Sequence, residues 1–258
     1  MLNEIVEKTK ERIEQEKEIT PLEELKKQVK ELEITDEFPF KKAVGGDDIS
    51  IIAEVKRASP SKGLIAEDFD YVSIAKEYEE AGASAISVLT EPYFFKGDNE
   101  YLKEISQNVT IPILRKDFVV DEYMIWEAKV LGASAVLLIA SILDIATLKK
   151  YLDLAHDLGL SAIVETHDGD EIRMAMNVGA EIIGVNNRNL EDFSVDIENS
   201  INLRRCVGND VLFISESGIK TKEDVAKLKE NDVDAVLIGE TLMKSKDKKA
   251  MISELKNG

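Results

Sequence analysis

From residue 49 onward, short apolar runs alternate with stretches in which apolar positions return every three or four residues. The runs predict strands at Ser50–Val55, Ala85–Leu89, Ile111–Leu114, Ala135–Ala140, Ser161–Val164, Glu181–Val185, Val211–Ile214 and Ala235–Ile238. The intervening stretches, such as 71–81 and 148–158, predict helices. Runs this apolar suit strands covered on both faces, and helices between successive strands imply a parallel sheet. A faint repeat supports a count of eight. GASAISVL at 82–89 and GASAVLLI at 132–139 are near copies, and GAEIIGV at 179–185 and DVDAVLIG at 232–239 follow at similar spacing. Each marks a helix end, often at glycine, and the start of an even-numbered strand. Four repeats of two βα units close into a barrel. A doubly wound open sheet is the alternative, but the Gly-rich fingerprint expected early in such a chain is missing.

The expected class is therefore α/β, a (β/α)8 TIM barrel, with residues 1–47 set apart as a Lys/Glu-rich helical extension. Leu2, Ile5, Val6 and Ile13 fall near one face of a first helix, and Leu22, Leu25, Val29 and Leu32 stripe a second. Thr20-Pro21-Leu22-Glu23 has the form of a capping box with proline at the first helical position. The expectation is one domain over 1–258, its extension packed on the barrel and its apolar stripes lidding the mouth.

Several runs end in a polar side chain. Glu54 and Lys56 close IIAEVK, Lys116 closes PILRK, Glu165 closes SAIVE, Asn186 closes IIGVN and Glu216 closes LFISE. Strand side chains alternate, so Ile52, Glu54 and Lys56 share a face, and an inward Ile52 would bring an acid and a base to the barrel mouth. Any one such residue is most often a surface ion pair. Two lysines, three glutamates and an asparagine in one half-buried mouth cost stability unless they serve one another or a ligand. SESGI at 215–219 and LIGETLM at 237–243 follow the seventh and eighth strands, where barrels often bind phosphate. Gly218 and Gly239 there let backbone N–H groups approach an anion closely.

A length of 258 residues suits a barrel of roughly 250. The net charge of −18 argues against nucleic-acid binding, which needs clustered Lys and Arg. It also repels an anionic ligand, which gives weight to every cation at a strand end. No apolar run approaches the ~18 residues of a membrane helix. The charged N-terminus does not read as a signal peptide, so the expected compartment is the cytoplasm. Cys206 is the single cysteine and reads as structural. His156 and His167 lack ligand spacing, so no metal is expected and both read as exposed or half-exposed. Trp126 reads as packing and Lys62 as an exposed loop lysine.

Seven ordered motifs carry a resemblance: IIAEVKRASPSKG, LTEPYFFKGD, ILRKDF, VETH, IIGVNNRNL, SESGI and LIGETLM. Together they resemble the indole-3-glycerol-phosphate synthase family over nearly the whole chain. The resemblance implies a cofactor-free, metal-free lyase of tryptophan biosynthesis. Its substrate would be 1-(2-carboxyphenylamino)-1-deoxyribulose 5-phosphate, which undergoes ring closure, decarboxylation and dehydration. It further implies Lys116 as general acid, Lys56 on the substrate carboxylate and in dehydration, and Glu165 as general base. Glu54 would orient the lysines, Asn186 fix a substrate hydroxyl, and Glu216 and Ser217 complete the set. Ser59, Gly218 and Gly239 would hold phosphate, Arg188 would support the nearby loop, and Phe95 with the region of Pro60 would face the aryl ring. Glu240 stands where some relatives carry a small hydroxyl residue, and is expected to turn outward. The partner implied is a small anionic molecule, with no nucleic acid or membrane, and a monomer or weak homo-oligomer is expected. A Schiff-base aldolase and a non-catalytic phosphate-binding barrel are the alternatives.

Overall fold

The structure is a computed structural model that describes residues 1–189 and 193–257. Eight parallel strands form a closed barrel in the order β1-β8-β7-β6-β5-β4-β3-β2. They are β1 Ser50–Val55, β2 Ala85–Leu89, β3 Ile113–Lys116, β4 Ala135–Ile139, β5 Ser161–Thr166, β6 Ile182–Asn186, β7 Leu212–Glu216 and β8 Ala235–Ile238. Five of the eight predicted strands change at their ends, the fifth running on to Thr166 and the sixth and seventh shifting to Ile182–Asn186 and Leu212–Glu216. The third strand starts at Ile113 rather than Ile111 and runs on to Lys116, because Pro112 has no N–H for the ladder, although its carbonyl accepts from Ile86. The fourth stops at Ile139, and Ala140 opens a 3₁₀ turn.

Strand parity sets what enters the site. Ile52, Leu114, Ile163, Ile182, Ile214 and Leu237 belong to an interior cluster, while Ile51, Ala53, Val55, Ile86 and Val88 belong to the layer under the helices. Two residues on from an interior position comes another interior position. Ile52 is thus followed inward by Glu54, Leu114 by Lys116, Ile163 by Glu165, and Ile214 by Glu216. The internal repeat has a conformational cause: Gly82, Gly132 and Gly179 end their helices at φ of +84°, +88° and +81°. Asp232 takes the same left-handed turn at +58°, where the fourth copy lacks glycine.

Before the barrel lie α1 Leu2–Ile19, α2 Leu22–Lys30 and α3 Pro39–Val44. The extension does not act as one lid. Ile5 and Ile13 of α1 are buried, and Arg12 reaches the end of β3 to bond Asp117 at 3.0 and 2.9 Å. α2 buries Leu25 and Val29 and sets Lys26 over the Trp126 ring at 5.9 Å, on α6 Tyr123–Val130. Leu32, expected in that stripe, is 42% exposed. α3 sits at the opposite end of the barrel, where Phe40 and Val44 are fully buried in the interior cluster and Lys41 N–H bonds Ser161 Oγ at 3.3 Å. Thr20 is not a cap for α2. Pro21 occupies the N-cap position without a side-chain bond and holds Thr20 extended, at φ −127° and ψ 95°.

After β1 the chain makes a small antiparallel hairpin, Ala58–Ser59 with Gly63–Leu64. The other helices flank the strands: α4 Tyr71–Glu80, α5 Asn99–Ser106, α7 Ile145–Asp157, α8 Gly169–Asn177, α9 Glu198–Arg204, α10 Lys222–Lys229, α11 Glu240–Lys244 and α12 Lys248–Lys256.

Candidate active site

The C-terminal ends of the strands surround a cavity of about 620 Å³, within the range that takes a small-molecule ligand. Every candidate named from the sequence lines it: Glu54, Lys56, Ser59, Pro60, Phe95, Lys116, Glu165, Asn186, Arg188, Glu216, Ser217, Gly218 and Gly239. Met1, Leu2 and Ile5 line it too, so α1 forms a stretch of its wall.

At its centre the Lys116 ammonium bonds Glu216 Oε2 at 2.8 Å and Glu165 Oε2 at 3.1 Å. Asn186 Nδ2 donates to the other Glu165 oxygen at 3.4 Å. From β1, Lys56 Nζ and Glu54 Oε1 pair at 2.5 Å. The three glutamates are almost wholly buried, which makes their charges interdependent. Burial alone would depress the Lys116 ammonium, but Glu216, Glu165 and Glu54 overrule it and raise its pKa above the usual lysine range. Burial likewise favours a neutral Glu165, yet Lys116 and His167 hold it ionised, below its ordinary value. Glu216 goes the other way: burial, only partly offset by Lys116 and reinforced by Glu165, pushes it up to about 7. One ammonium thus faces a carboxylate that stays charged and one that accepts a proton near neutrality, the separation of roles that acid–base chemistry uses.

Two glycines make room for this. A Cβ on Gly184 of β6 would run into Glu216 Oε1 and lie 3.0 Å from Ile163. A Cβ on Gly239 would run into Glu54 Oε1 and lie 2.8 Å from Lys56 Nζ. Gly239 therefore frees space for side chains as well as exposing backbone, and Gly184 was missed in the sequence because a glycine in a strand carries no chemistry of its own.

The SESG turn is strained into place, with Ser217 at φ +69° and Gly218 at +87°. Asn187, also missed, anchors it by donating to Ser215 Oγ at 2.9 Å and to the Ser217 carbonyl at 3.0 Å. Arg188 donates to the Phe193 carbonyl at 3.2 Å and bridges to Val195, which closes the loop beside the turn. Leu190, the last residue of its motif, lies outside the described residues. On the aryl side Phe95 meets Phe118 at 6.0 Å between ring centres, and both line the cavity, whereas Tyr93 is exposed. Buried Glu91 holds the Phe95 loop by accepting the N–H groups of Tyr93, Phe94 and Phe95.

Glu240 does not turn away as expected. It lines the cavity rim, bonded to Lys244 at 2.6 Å and 3.7 Å from Lys62 in the loop after β1. The two lysines neutralise it, and with Lys220 they give the rim the local cations that the chain's net charge called for. His156 is half-buried against Phe38, and Cys206 is exposed. His167 is half-buried behind Glu165.

The family model for indole-3-glycerol phosphate synthase matches residues 2–255. The chain belongs to the indole-3-glycerol phosphate synthase family. A family member from Lachnoclostridium phytofermentans is 52% identical over all of this chain and 99% of its own length. One from Ruminiclostridium cellulolyticum is 50% identical over 99% of this chain and 98% of its own. That of Endomicrobium trichonymphae is 57% identical over 84% of each. Indole-3-glycerol phosphate synthases are carboxy-lyases of tryptophan biosynthesis, so this chain is an enzyme of that class. Among solved structures, 3-hexulose-6-phosphate synthase from Salmonella typhimurium superposes with a TM-score of 0.67 at 14% identity, over 81% of this chain and 97% of that one. KGPDC from Streptococcus mutans gives 0.64 at 11%, over 82% and 97%. These likenesses show the barrel fold alone. No helix among the described residues is long and apolar enough to cross a membrane.

Proposed function

We propose that the cavity converts 1-(2-carboxyphenylamino)-1-deoxyribulose 5-phosphate into indole-3-glycerol phosphate, with Lys116 as the first general acid. The ring carbon that bears the carboxylate attacks the sugar ketone, and Lys116 protonates the oxygen as it becomes a hydroxyl. Lys56 holds the carboxylate until it leaves as carbon dioxide, its bonding electrons restoring the aromatic ring. Glu165 then removes a proton from the methylene carbon beside nitrogen while Lys56 protonates the departing hydroxyl, which leaves as water. Glu54 orients Lys56, Asn186 fixes a substrate hydroxyl, and Glu216 holds Lys116 in place with Ser217 at the adjoining turn. Ser59 and the N–H groups of Gly218 and Gly239 take the phosphate, with Arg188 bracing the turn. Phe95 and Pro60 wall the aryl ring. We place the enzyme in the cytoplasm, as a monomer or weak homo-oligomer with a small anionic substrate as its partner.

The observation that carries this reading is Lys116, an ammonium pinned between Glu165 and Glu216 inside the cavity. The same observation weighs against a Schiff-base aldolase, whose nucleophile must be a neutral amine. Lys116→Met is expected to lower turnover roughly 10²- to 10⁴-fold, the range for a positioned acid, with folding unchanged. The assay adds the aryl-amino sugar phosphate and follows indole fluorescence. An unchanged rate removes Lys116 from the mechanism, and binding without any turnover in the parent enzyme would instead favour a non-catalytic barrel.

A further inference from the structure

The reaction just described does not balance in protons within the cavity. The lysines give up two, Glu165 takes back one, and the substrate's carboxylate leaves as neutral carbon dioxide. Each turnover therefore consumes one proton from outside the four reacting groups. A proton source has to stand beside them.

His167 has the geometry for it. It lies two residues beyond Glu165, just past the end of β5 at Thr166. Its Nδ1 is 3.1 Å from Glu171 Oε2, an oxygen that also accepts the His167 backbone N–H at 2.7 Å. Glu171 sits in the first turn of α8. An ionised Glu171 can only accept, which places a proton on Nδ1 and turns Nε2 toward the site. Nε2 is 3.6 Å from Glu165 Oε1 and is buried with no hydrogen-bond partner of its own. Asn199 of α9 fixes the backbone by donating to the His167 carbonyl at 3.2 Å. The ionisable groups facing the ring are Glu165 on its own strand, Glu171 on α8 and Glu216 on β7, with Lys116 of β3 beyond Glu165. Burial opposes an imidazolium, but these three carboxylates prevail and raise its pKa.

We propose that His167 is a positioning residue that carries the consumed proton into the site and delivers it through Glu165. The inference rests on the reading of Glu165 and Lys116 given above. Between turnovers, with the mouth vacant, a proton from solvent reaches the buried Nε2 by way of Glu165, which lines the cavity, and forms the imidazolium. During turnover the Nε2–H bond breaks, the proton joins Glu165 Oε1, and the ring is left neutral with its Nδ1 proton still on Glu171. Glu165, so protonated, restores the ammonium of Lys116, 3.1 Å away, and the methylene proton that Glu165 takes in the last step passes to Lys56 once water has left. A group loaded beforehand removes the need for water to reach Glu165 while substrate fills the cavity. His167 does not line the cavity and acts only through Glu165.

The test uses the full chain with His167→Ala and His167→Asn, each checked for wild-type folding by circular dichroism. Both are expected to lose about a hundredfold in kcat, the lower end for acid–base groups, with KM unchanged. Imidazole added to His167→Ala should restore kcat saturably, and less so as pH rises and the imidazolium fraction falls. The wild-type kcat should ignore imidazole and fall on the alkaline side as His167 loses its proton. Wild-type kcat in both variants overturns the proposal, as does a loss that imidazole leaves untouched and that comes with a raised KM. Lys116→Met measured alongside separates the two readings. Full activity there sinks the site assignment, whereas a dead Lys116→Met beside a fully active His167→Asn sinks only the proton supply.

Discussion

Arg12→Met should unlock the first helix from the barrel. Arg12 is 6% exposed, and its guanidinium grips Asp117 at 3.0 and 2.9 Å and the Thr90 carbonyl at 3.3 Å. Asp117 is 1% exposed and directly follows Lys116, so its charge has no route to water. Burial alone would raise the Asp117 pKa, but Arg12 and Arg115 depress it. Methionine keeps the stem's packing and removes the charge, leaving a buried carboxylate one partner short. Breaking such a pair costs about 3–5 kcal/mol. The lower end applies, because Thr90 Oγ1 at 2.7 Å, the Phe118 N–H at 2.8 Å and Arg115 at 3.8 Å remain. At about 2–4 °C per kcal/mol for a chain of this size, a loss of about 3 kcal/mol lowers Tm by roughly 6–12 °C. The measurement is a thermal melt at pH 7 with a urea titration beside it. Arg12→Met/Asp117→Asn should recover part of the loss, since no unpaired charge stays buried. The depressed Asp117 pKa contributes stability above its unfolded value that is lost as pH falls through the folded one, and Arg12→Met should flatten that acid limb. A single variant melting within about 2 °C of the parent, less than 1 kcal/mol, would refute the argument.

Other outcomes can be measured on the same preparations. Lys116→Met should keep the fold and lose roughly 10²- to 10⁴-fold in turnover, and the His167 variants should show the imidazole-dependent rescue described above. Glu16 is pushed up to about 7 by burial and by Glu127, so its folded pKa lies above its unfolded one. It therefore costs stability as pH rises through that interval. Glu16→Gln should melt higher than the parent at pH 8 and flatten the Tm profile between pH 5 and 8, and parallel profiles would exclude it. Gly239→Ala places a methyl group against Glu54 and Lys56, and should cost about 1–3 kcal/mol by overpacking together with a drop in kcat/KM. Gly46→Ala, which meets nothing within 4 Å, is the neutral control for the same urea and rate measurements.

Local signals were enough for the barrel and for most of its mouth. Alternation along β1 told that Ile52, Glu54 and Lys56 point one way, and the polar ends of β3, β5, β6 and β7 told which strands contribute. What stayed hidden depends on distance along the chain. Arg12 and Asp117 are 105 residues apart, and an arginine in a Lys/Glu-rich helix looks like any solvated charge. Nothing local marks Phe40 as the residue that fills the far end of the barrel. Gly184 and Asn187 act through the space or bonds they give to Glu216 and to the Ser217 turn, which no motif spells out. Glu240 stays at the rim because Lys62 and Lys244 pair with it, contacts that its own motif does not spell out. At Thr20-Pro21 the pattern was present but proline straightened the residue that was to cap.

The Phe40 ring at the barrel floor sets an order of events for a chain made from its N-terminus. Residues 39–44 leave the ribosome before any strand does, yet their seat is built from β1 through β8 and is complete only when Ala235 and Leu237 arrive. For most of synthesis this short greasy segment has nowhere to go. A nascent chain halted before residue 235 would hold its stopper with no bottle, a state in which chaperone capture or self-association competes with folding.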